Sequence, residues 1–149
     1  MKSWIFIFIS FLFFSCIKNE KNYYSKYIYE YLGVVPKSKK YDFFIFLNPN
    51  TNCIACYAGS IETIKNSPIN CRVNIITNSK VINSLESFKI DTNDLNIIID
   101  DSDKIKSVNL NERFNSKLIV FNDKRLVFEK TIHAFNTDSI SFFIKPYCK

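Results

Sequence analysis

The sequence predicts an α/β domain in which a central mixed sheet, made of parallel strands and a C-terminal β-hairpin, is flanked by helices. Short apolar and β-branched runs alternate with segments of helical periodicity along most of the chain, which is typical of parallel strands joined by right-handed crossovers. Two β-rich runs joined by turn residues then follow, which predicts a hairpin. With 149 residues, 47% of them hydrophobic, the chain can bury the core of one domain.

The N-terminal segment, residues 1–15, has the pattern of an export signal. A short basic start precedes an apolar run from Trp4 to Phe14, which is too short to cross a membrane. The ending Phe13-Phe14-Ser15-Cys16 resembles a bacterial lipoprotein signal. This resemblance implies that Cys16 becomes the lipid-bearing first residue after cleavage.

Lipidation at Cys16 would make residues 16–22 a tether and residues 23–149 the folded domain. The alternative is an uncleaved anchor. Both alternatives place the domain outside the cytosol, in the bacterial cell envelope, where it is attached to a membrane and faces the periplasm or the outer surface.

The domain begins with a predicted amphipathic helix that ends at Gly33, where a helix C-cap is expected. The residues that share its apolar face are Tyr23, Tyr24, Tyr27, Ile28, Tyr31 and Leu32. We expect this tyrosine stripe to pack against the sheet. Contact with membrane headgroups or with a peptide partner is the alternative.

The next segment is a nearly apolar run, Tyr41 to Leu47, bounded by Asn48-Pro49-Asn50. It is too short for an independent helix, so it predicts a strand that is covered on both faces. Two cysteines, Cys53 and Cys56, then open a helix that continues to about Asn66.

The remaining elements follow in order. A strand at 72–77 is followed by a helix that is capped by Ser79 and ends near Phe88, and by a third strand at 95–99. A hairpin with arms at 117–121 and 125–129 comes next. The last helix, at 138–144, is capped by Thr137 or Asp138. The segment Asp100-Asp101-Ser102-Asp103 lacks the central Gly and the terminal Glu of a calcium loop. It therefore predicts a turn that caps a short segment at 104–108.

The cysteine pair carries the predicted chemistry. A spacing of three places both sulfurs on one face of a helix, and the unpaired N–H groups of a helix start favour a thiolate. We expect Cys53 to be the attacking nucleophile and Cys56 to resolve the mixed disulfide. Ile54 and Ala55 between them bring no charge, so the direction of electron transfer stays open.

The predicted element order resembles the thioredoxin superfamily. The segments Ile97-Ile-Ile-Asp-Asp-Ser-Asp-Lys-Ile and Leu118-Ile-Val-Phe-Asn-Asp-Lys-Arg-Leu-Val are similar to membrane-anchored bacterial thioredoxin-like oxidoreductases and their peroxiredoxin-like relatives. The resemblance implies an enzyme that exchanges thiols and disulfides with protein substrates and a redox partner. Its only redox group is the Cys53, Cys56 disulfide, with no further cofactor.

The sequence departs from this family at three places around the dithiol, one of which is that no carboxylate stands close behind Cys56, since Glu62 is nearly two turns further along. Asn52 replaces the aromatic residue that usually precedes the first cysteine. The family's substrate-binding cis-proline should fall at Asn115 or Ser116, and neither is proline.

The missing proline implies a second alternative, because in this family that residue keeps metal away from the dithiol. The alternative is a non-catalytic binding lipoprotein in which Cys53 and Cys56 are structural or hold copper or zinc. His133, the single histidine of the chain, or Cys71 would complete the ligand set.

Two cysteines remain, Cys71 and Cys148, which form a structural disulfide or stay free. The net charge of +6 comes from lysines scattered singly along the chain, without the clustered stripe that a nucleic-acid groove requires. Two glycines in the whole sequence make a phosphate-cradling loop implausible. We therefore expect no nucleic-acid partner.

Overall fold

The structure is a computed structural model that describes residues 23–36, 41–48, 54–66, 72–93, 95–102, 104, 115–133 and 139–148. The predicted signal, the tether with Cys16, Cys53 and Cys71 lie outside the described residues. Of Cys56 the structure describes the backbone only. The predicted caps of the last helix and the segment 105–108 also lie outside.

The described chain forms one five-stranded mixed sheet. Its strands are β1 (Tyr41–Phe46), β2 (Val73–Thr77), β3 (Asn96–Ile99), β4 (Asn115–Asn122) and β5 (Arg125–His133). The strand order is β3-β2-β1-β4-β5. Strands β1, β2 and β3 are parallel, and β4 and β5 are antiparallel to their neighbours. The predicted α/β class, with a mixed sheet flanked by helices, is confirmed.

Strand β1 occupies the middle of the sheet and is covered on both faces, as its apolar run predicts. Its side chains alternate between two cores. Phe43, Ile45 and Leu47 belong to one core, and Phe44 and Phe46 to the other.

Three helices cover the first core: α2 (Ile54–Asn66), α3 (Ser79–Ser87) and α4 (Ser139–Ile144), the last followed by a 3₁₀ turn at Lys145–Tyr147. We call this side of the sheet the α2 face. The boundaries agree with the sequence prediction to within a few residues. The cap of α3 differs, because the side chain of Asn78, rather than that of Ser79, accepts a hydrogen bond at 3.0 Å from the Val81 N–H.

The N-terminal helix covers the second core. It consists of a helical turn at 23–25 and the π-helix α1 (Lys26–Tyr31), in which the Leu32 N–H bonds to the Tyr27 carbonyl at 3.0 Å. We call this side of the sheet the tyrosine face. Gly33 follows with a φ of 67°, a left-handed conformation that suits glycine.

The wider turns of α1 change which tyrosines are buried. Tyr24, Tyr27 and Tyr29 are buried, whereas Tyr23 and Tyr31 are partly exposed. The predicted stripe counted Tyr23 and Tyr31 among its members and missed Tyr29, because it assumed α-helical spacing. Packing of the stripe against the sheet is confirmed for Tyr24 and Tyr27.

The hairpin of β4 and β5 turns at Asp123 and Lys124, which both have positive φ values, 49° and 63°. Two such residues in succession are typical of the turn that matches the twist of a two-stranded ribbon. The hairpin is confirmed and is longer than predicted at its open end, where Asn115 pairs with His133.

Candidate dithiol site

The carboxyl ends of the parallel strands meet at one edge of the sheet, which we call the carboxyl edge. Strand β1 ends there, in the middle of the sheet, and the chain continues toward Cys53. Helix α2 begins at Ile54, directly after Cys53, and contains Cys56 in its first turn. The structure therefore contains the predicted strand and the predicted helix on the two sides of the segment that includes Cys53.

A buried hydrogen bond ties the start of α2 to the end of β1. The Tyr57 hydroxyl donates to the backbone carbonyl of Asn48, and both residues are almost fully buried. Tyr57 directly follows Cys56 in sequence, and Asn48 lies two residues beyond the last residue of β1. The first turn of α2 is thus held at the carboxyl edge by a side chain that the sequence analysis did not single out.

Beneath the start of α2, polar side chains flank Leu47 on the α2 face. Phe46 pairs with Ile76 on β2 and with Lys117 on β4. One residue further along β1, the same registers place Thr77 and Ser116 beside Leu47. Strand alternation places Thr77 on the side of Ile75, and Ser116 on the side of Leu118. The sheet therefore presents two hydroxyl-bearing residues at this level, one on each side of β1.

Thr77 is fully buried, and its hydroxyl has no hydrogen-bond partner among the residues that the structure describes. Its backbone carbonyl accepts a bond at 2.8 Å from the Asp100 N–H. A buried hydroxyl without a partner is uncommon in proteins. The position is visible in the sequence as the one polar residue at the end of an apolar strand, although we did not select it there.

The predicted substrate-binding positions, Asn115 and Ser116, begin β4 at the carboxyl edge. Ser116 is 6% exposed and neighbours the end of β1. The described residues contain no cis peptide bond. Ser116 therefore lies beside the end of the central strand, and substrate binding at Asn115 or Ser116 stays a prediction.

His133 ends β5 opposite Asn115, so it also lies at the carboxyl edge. Two strand spacings, or about 10 Å, separate the β5 and β1 axes. His133 is exposed. Within the described residues, no three side chains of His, Cys, Asp or Glu form a metal-binding group. Because Cys53 and the Cys56 side chain lie outside that set, the copper or zinc alternative is not tested.

The acidic turn after β3 is used by the fold itself. Asp100 accepts hydrogen bonds from the Tyr27 hydroxyl at 2.5 Å and from the Ser102 N–H at 2.9 Å. Asp101 accepts from the Ser79 N–H and hydroxyl, both at 2.8 Å, and these bonds hold the pKa of its carboxyl below the usual range. This agrees with the predicted turn, although the helical segment it should cap lies outside the described residues.

A polar cluster in which Lys117 and Tyr24 are buried and Glu129 is exposed lies on the tyrosine face, next to the carboxyl edge. Lys117, which pairs with Phe46 in the sheet, places its Nζ 2.6 Å from Glu129 Oε1 and 2.7 Å from the Tyr24 hydroxyl. Burial lowers the pKa of Lys117, but its hydrogen bonds to Glu129 and Tyr24 prevail and raise it. The lysine is therefore charged, and it joins the N-terminal helix to the sheet.

Cys148 is disulfide-bonded and packs against the core of the α2 face. The neighbouring Tyr147 ring lies 5.0 Å from the ring of Tyr41, at the start of β1. Strand β2 starts at the same end of the sheet, since Val73 pairs with Phe43. Cys71 precedes β2 in sequence and lies outside the described residues, so its pairing with Cys148 stays a prediction.

None of the helices in the described part of the chain is long and apolar enough to span a membrane. The sequence matches no protein-family model and no curated protein.

Proposed function

We propose that this chain is an exported, lipid-anchored thiol-disulfide oxidoreductase with a thioredoxin-like fold. One observation carries the proposal: α2 starts directly after Cys53 at the end of the central strand. A cysteine at the start of a helix is stabilised as a thiolate by the unpaired N–H groups there. The strand order, with two parallel crossovers and an antiparallel hairpin, supports a thioredoxin-like arrangement.

The reaction is two successive thiol-disulfide exchanges. The Cys53 thiolate attacks one sulfur of a protein disulfide, the S–S bond breaks, and the leaving thiolate takes up a proton. The Cys56 thiolate then attacks the Cys53 sulfur and releases the second protein thiol. Two electrons pass from the dithiol to the protein disulfide, and the same steps in reverse would oxidise a protein dithiol.

The surroundings of α2 support this proposal. The Tyr57 bond to Asn48 fixes the helix start relative to the strand end, which is the rigidity that a reactive pair requires. Two described carboxylates lie away from this start, since Glu62 is exposed further along α2 and Asp42 lies at the opposite end of β1. Neither residue lies at the helix start, so neither is proposed as the proton acceptor for Cys56.

The test is a trapping experiment with Cys56→Ala. Without the resolving thiol, the mixed disulfide through Cys53 should accumulate, and it should be visible as adducts on non-reducing gels that vanish with reductant. The matched control, Cys53→Ala, should form no such adducts. Equal adduct formation by both variants would contradict the assigned roles.

One observation favours the metal-binding alternative: His133 lies at the carboxyl edge. In this alternative, Cys53, Cys56 and His133 hold copper or zinc, and Cys56→Ala traps no adducts. Purified protein would then carry one metal ion per chain, and His133→Ala would reduce that content. Metal-free protein that forms the mixed disulfide would exclude it.

A further inference from the structure

The direction of the N-terminal helix determines which end of the domain lies nearest the tether. The Tyr24 ring lies 6.4 Å from the ring of Phe46, at the end of β1. Five residues later, the Tyr29 hydroxyl donates to Asp42 at 3.0 Å, near the start of β1. The helix therefore runs antiparallel to β1, and its first residues lie at the carboxyl edge.

Buried polar contacts fix this arrangement. Lys117 bonds to the Tyr24 hydroxyl at 2.7 Å, and the Tyr27 hydroxyl bonds to Asp100 just beyond the end of β3. Both contacts lie near the carboxyl edge. The N-terminal helix, which the tether precedes, is therefore attached to the carboxyl edge. This is the edge from which the chain continues to Cys53.

The tether is short compared with the domain. Tyr23 follows Cys16 by 23 − 16 = 7 residues, which span at most about 24 Å when fully extended. A domain the size of residues 23–149 has a radius of gyration of about 14 Å, or a diameter of about 36 Å. The tether therefore cannot reach from the membrane past the domain to an attachment point on its far side.

We propose that the carboxyl edge of the sheet, from which the chain continues to the cysteine pair, faces the membrane to which the domain is anchored. This inference rests on the proposed lipid anchor at Cys16. It identifies the class of partner as a thiol or disulfide that a membrane protein carries close to the bilayer surface. Large soluble proteins would have to enter the narrow space between the domain and the membrane.

The test uses the lipidated full-length protein in vesicles that contain a dansyl-labelled phosphatidylethanolamine. Trp4 is the single tryptophan of the sequence and leaves with the signal, so one introduced tryptophan reports alone. Tyr23→Trp places it at the carboxyl edge and Tyr41→Trp at the opposite end of β1. Both are partly exposed tyrosines, at 39% and 36%, which makes the two variants a matched pair.

The two reporters differ in height by about 17 Å if β1 points toward the membrane. Energy transfer to the labelled lipids falls steeply with the height of the donor above the bilayer, so we expect transfer from position 23 to exceed transfer from position 41 about twofold, given that separation. Equal transfer, or the reverse order, in protein that carries lipid on Cys16 would overturn the orientation while leaving the dithiol chemistry intact.

Two further measurements test separately whether the lipid anchor is present and whether the short tether causes the orientation. Mass spectrometry of the N-terminal peptide shows whether Cys16 carries lipid, and its absence would overturn both the anchor and the orientation. An insertion of about 20 Gly and Ser residues between Lys18 and Asn19 lengthens the tether by up to about 70 Å, so the transfer ratio should fall toward one. A ratio that persists would overturn the tether as the cause of the orientation.

Discussion

The hydroxyl of Tyr57 donates a buried hydrogen bond to the backbone carbonyl of Asn48. This contact joins the residue after Cys56 to the segment that leaves the central strand. It is a specific link between the helix that contains Cys56 and the sheet that supports it. We therefore expect both the stability of the domain and the behaviour of the dithiol to depend on it.

Tyr57→Phe should lower the free energy of unfolding by about 1–3 kcal/mol, because the Asn48 carbonyl loses its buried donor. The same change should alter the reduction potential of the dithiol, because the start of α2 is less firmly held. Urea denaturation and a redox titration measure the two effects. Tyr41→Phe, at the far end of β1, is the control and should change neither.

Thr77→Val should raise the free energy of unfolding by about 1 kcal/mol, because it replaces a buried hydroxyl without a partner by a methyl group of similar size. Thr77→Ser, which keeps the hydroxyl and loses the methyl group, should instead destabilise the domain. Thermal or urea unfolding of both variants checks the prediction. Destabilisation by Thr77→Val would show that the hydroxyl has a partner in solution.

Tyr27→Phe should destabilise the domain by about 1–3 kcal/mol, because the buried Asp100 carboxylate loses a hydrogen bond. The exposed Tyr31 provides a matched control, since Tyr31→Phe keeps the ring that Lys104 contacts and should change stability by less than about 0.5 kcal/mol. Similar losses in both variants would indicate that the effect comes from the helix and not from the Asp100 bond.

Stability should fall in alkaline solution. Burial raises the pKa of Tyr27 and of Tyr29, and the carboxylates of Asp100 and Asp42 raise them further. The folded state thus holds these protons more tightly than the unfolded state does, so the stabilisation is complete below the unfolded tyrosine pKa of about 10 and is lost as the pH rises above it. The raised pKa of Lys117 acts in the same direction.

Urea denaturation at a series of pH values measures this effect. We expect a shallow dependence up to about pH 9 and a decline above about pH 10, where unfolded tyrosines ionise. Tyr29→Phe should make the decline shallower, because it removes one of the protons involved. A profile that does not change across the alkaline range would contradict the burial of these hydroxyls.

The sheet was predictable because its strands are short apolar runs separated by turn residues, and because a buried central strand needs helices on both faces. The identity of the buried tyrosines was not, since the π-helical turns of α1 shift which side chains face the sheet. The cap of α3 was misassigned by one residue, because Asn78 and Ser79 are both good caps and only the backbone conformation decides between them.

At the candidate site, the sequence predicted that the cysteine pair follows the central strand and opens a helix. It did not predict the supporting contacts. Pairing between strands that are distant in sequence and packing across the sheet determine the positions of Tyr57, Thr77 and Lys117. Such contacts leave no periodic pattern in a single sequence.

The measurement that tests the central claim most directly is a redox titration of the purified protein, with the Cys53 and Cys56 thiols followed by alkylation and mass spectrometry and the metal content determined on the same sample. We predict a reversible two-electron transition confined to this pair, in protein without stoichiometric metal. A pair that is not reduced and reoxidised reversibly, or one that binds a metal ion in each chain, would contradict the proposed oxidoreductase.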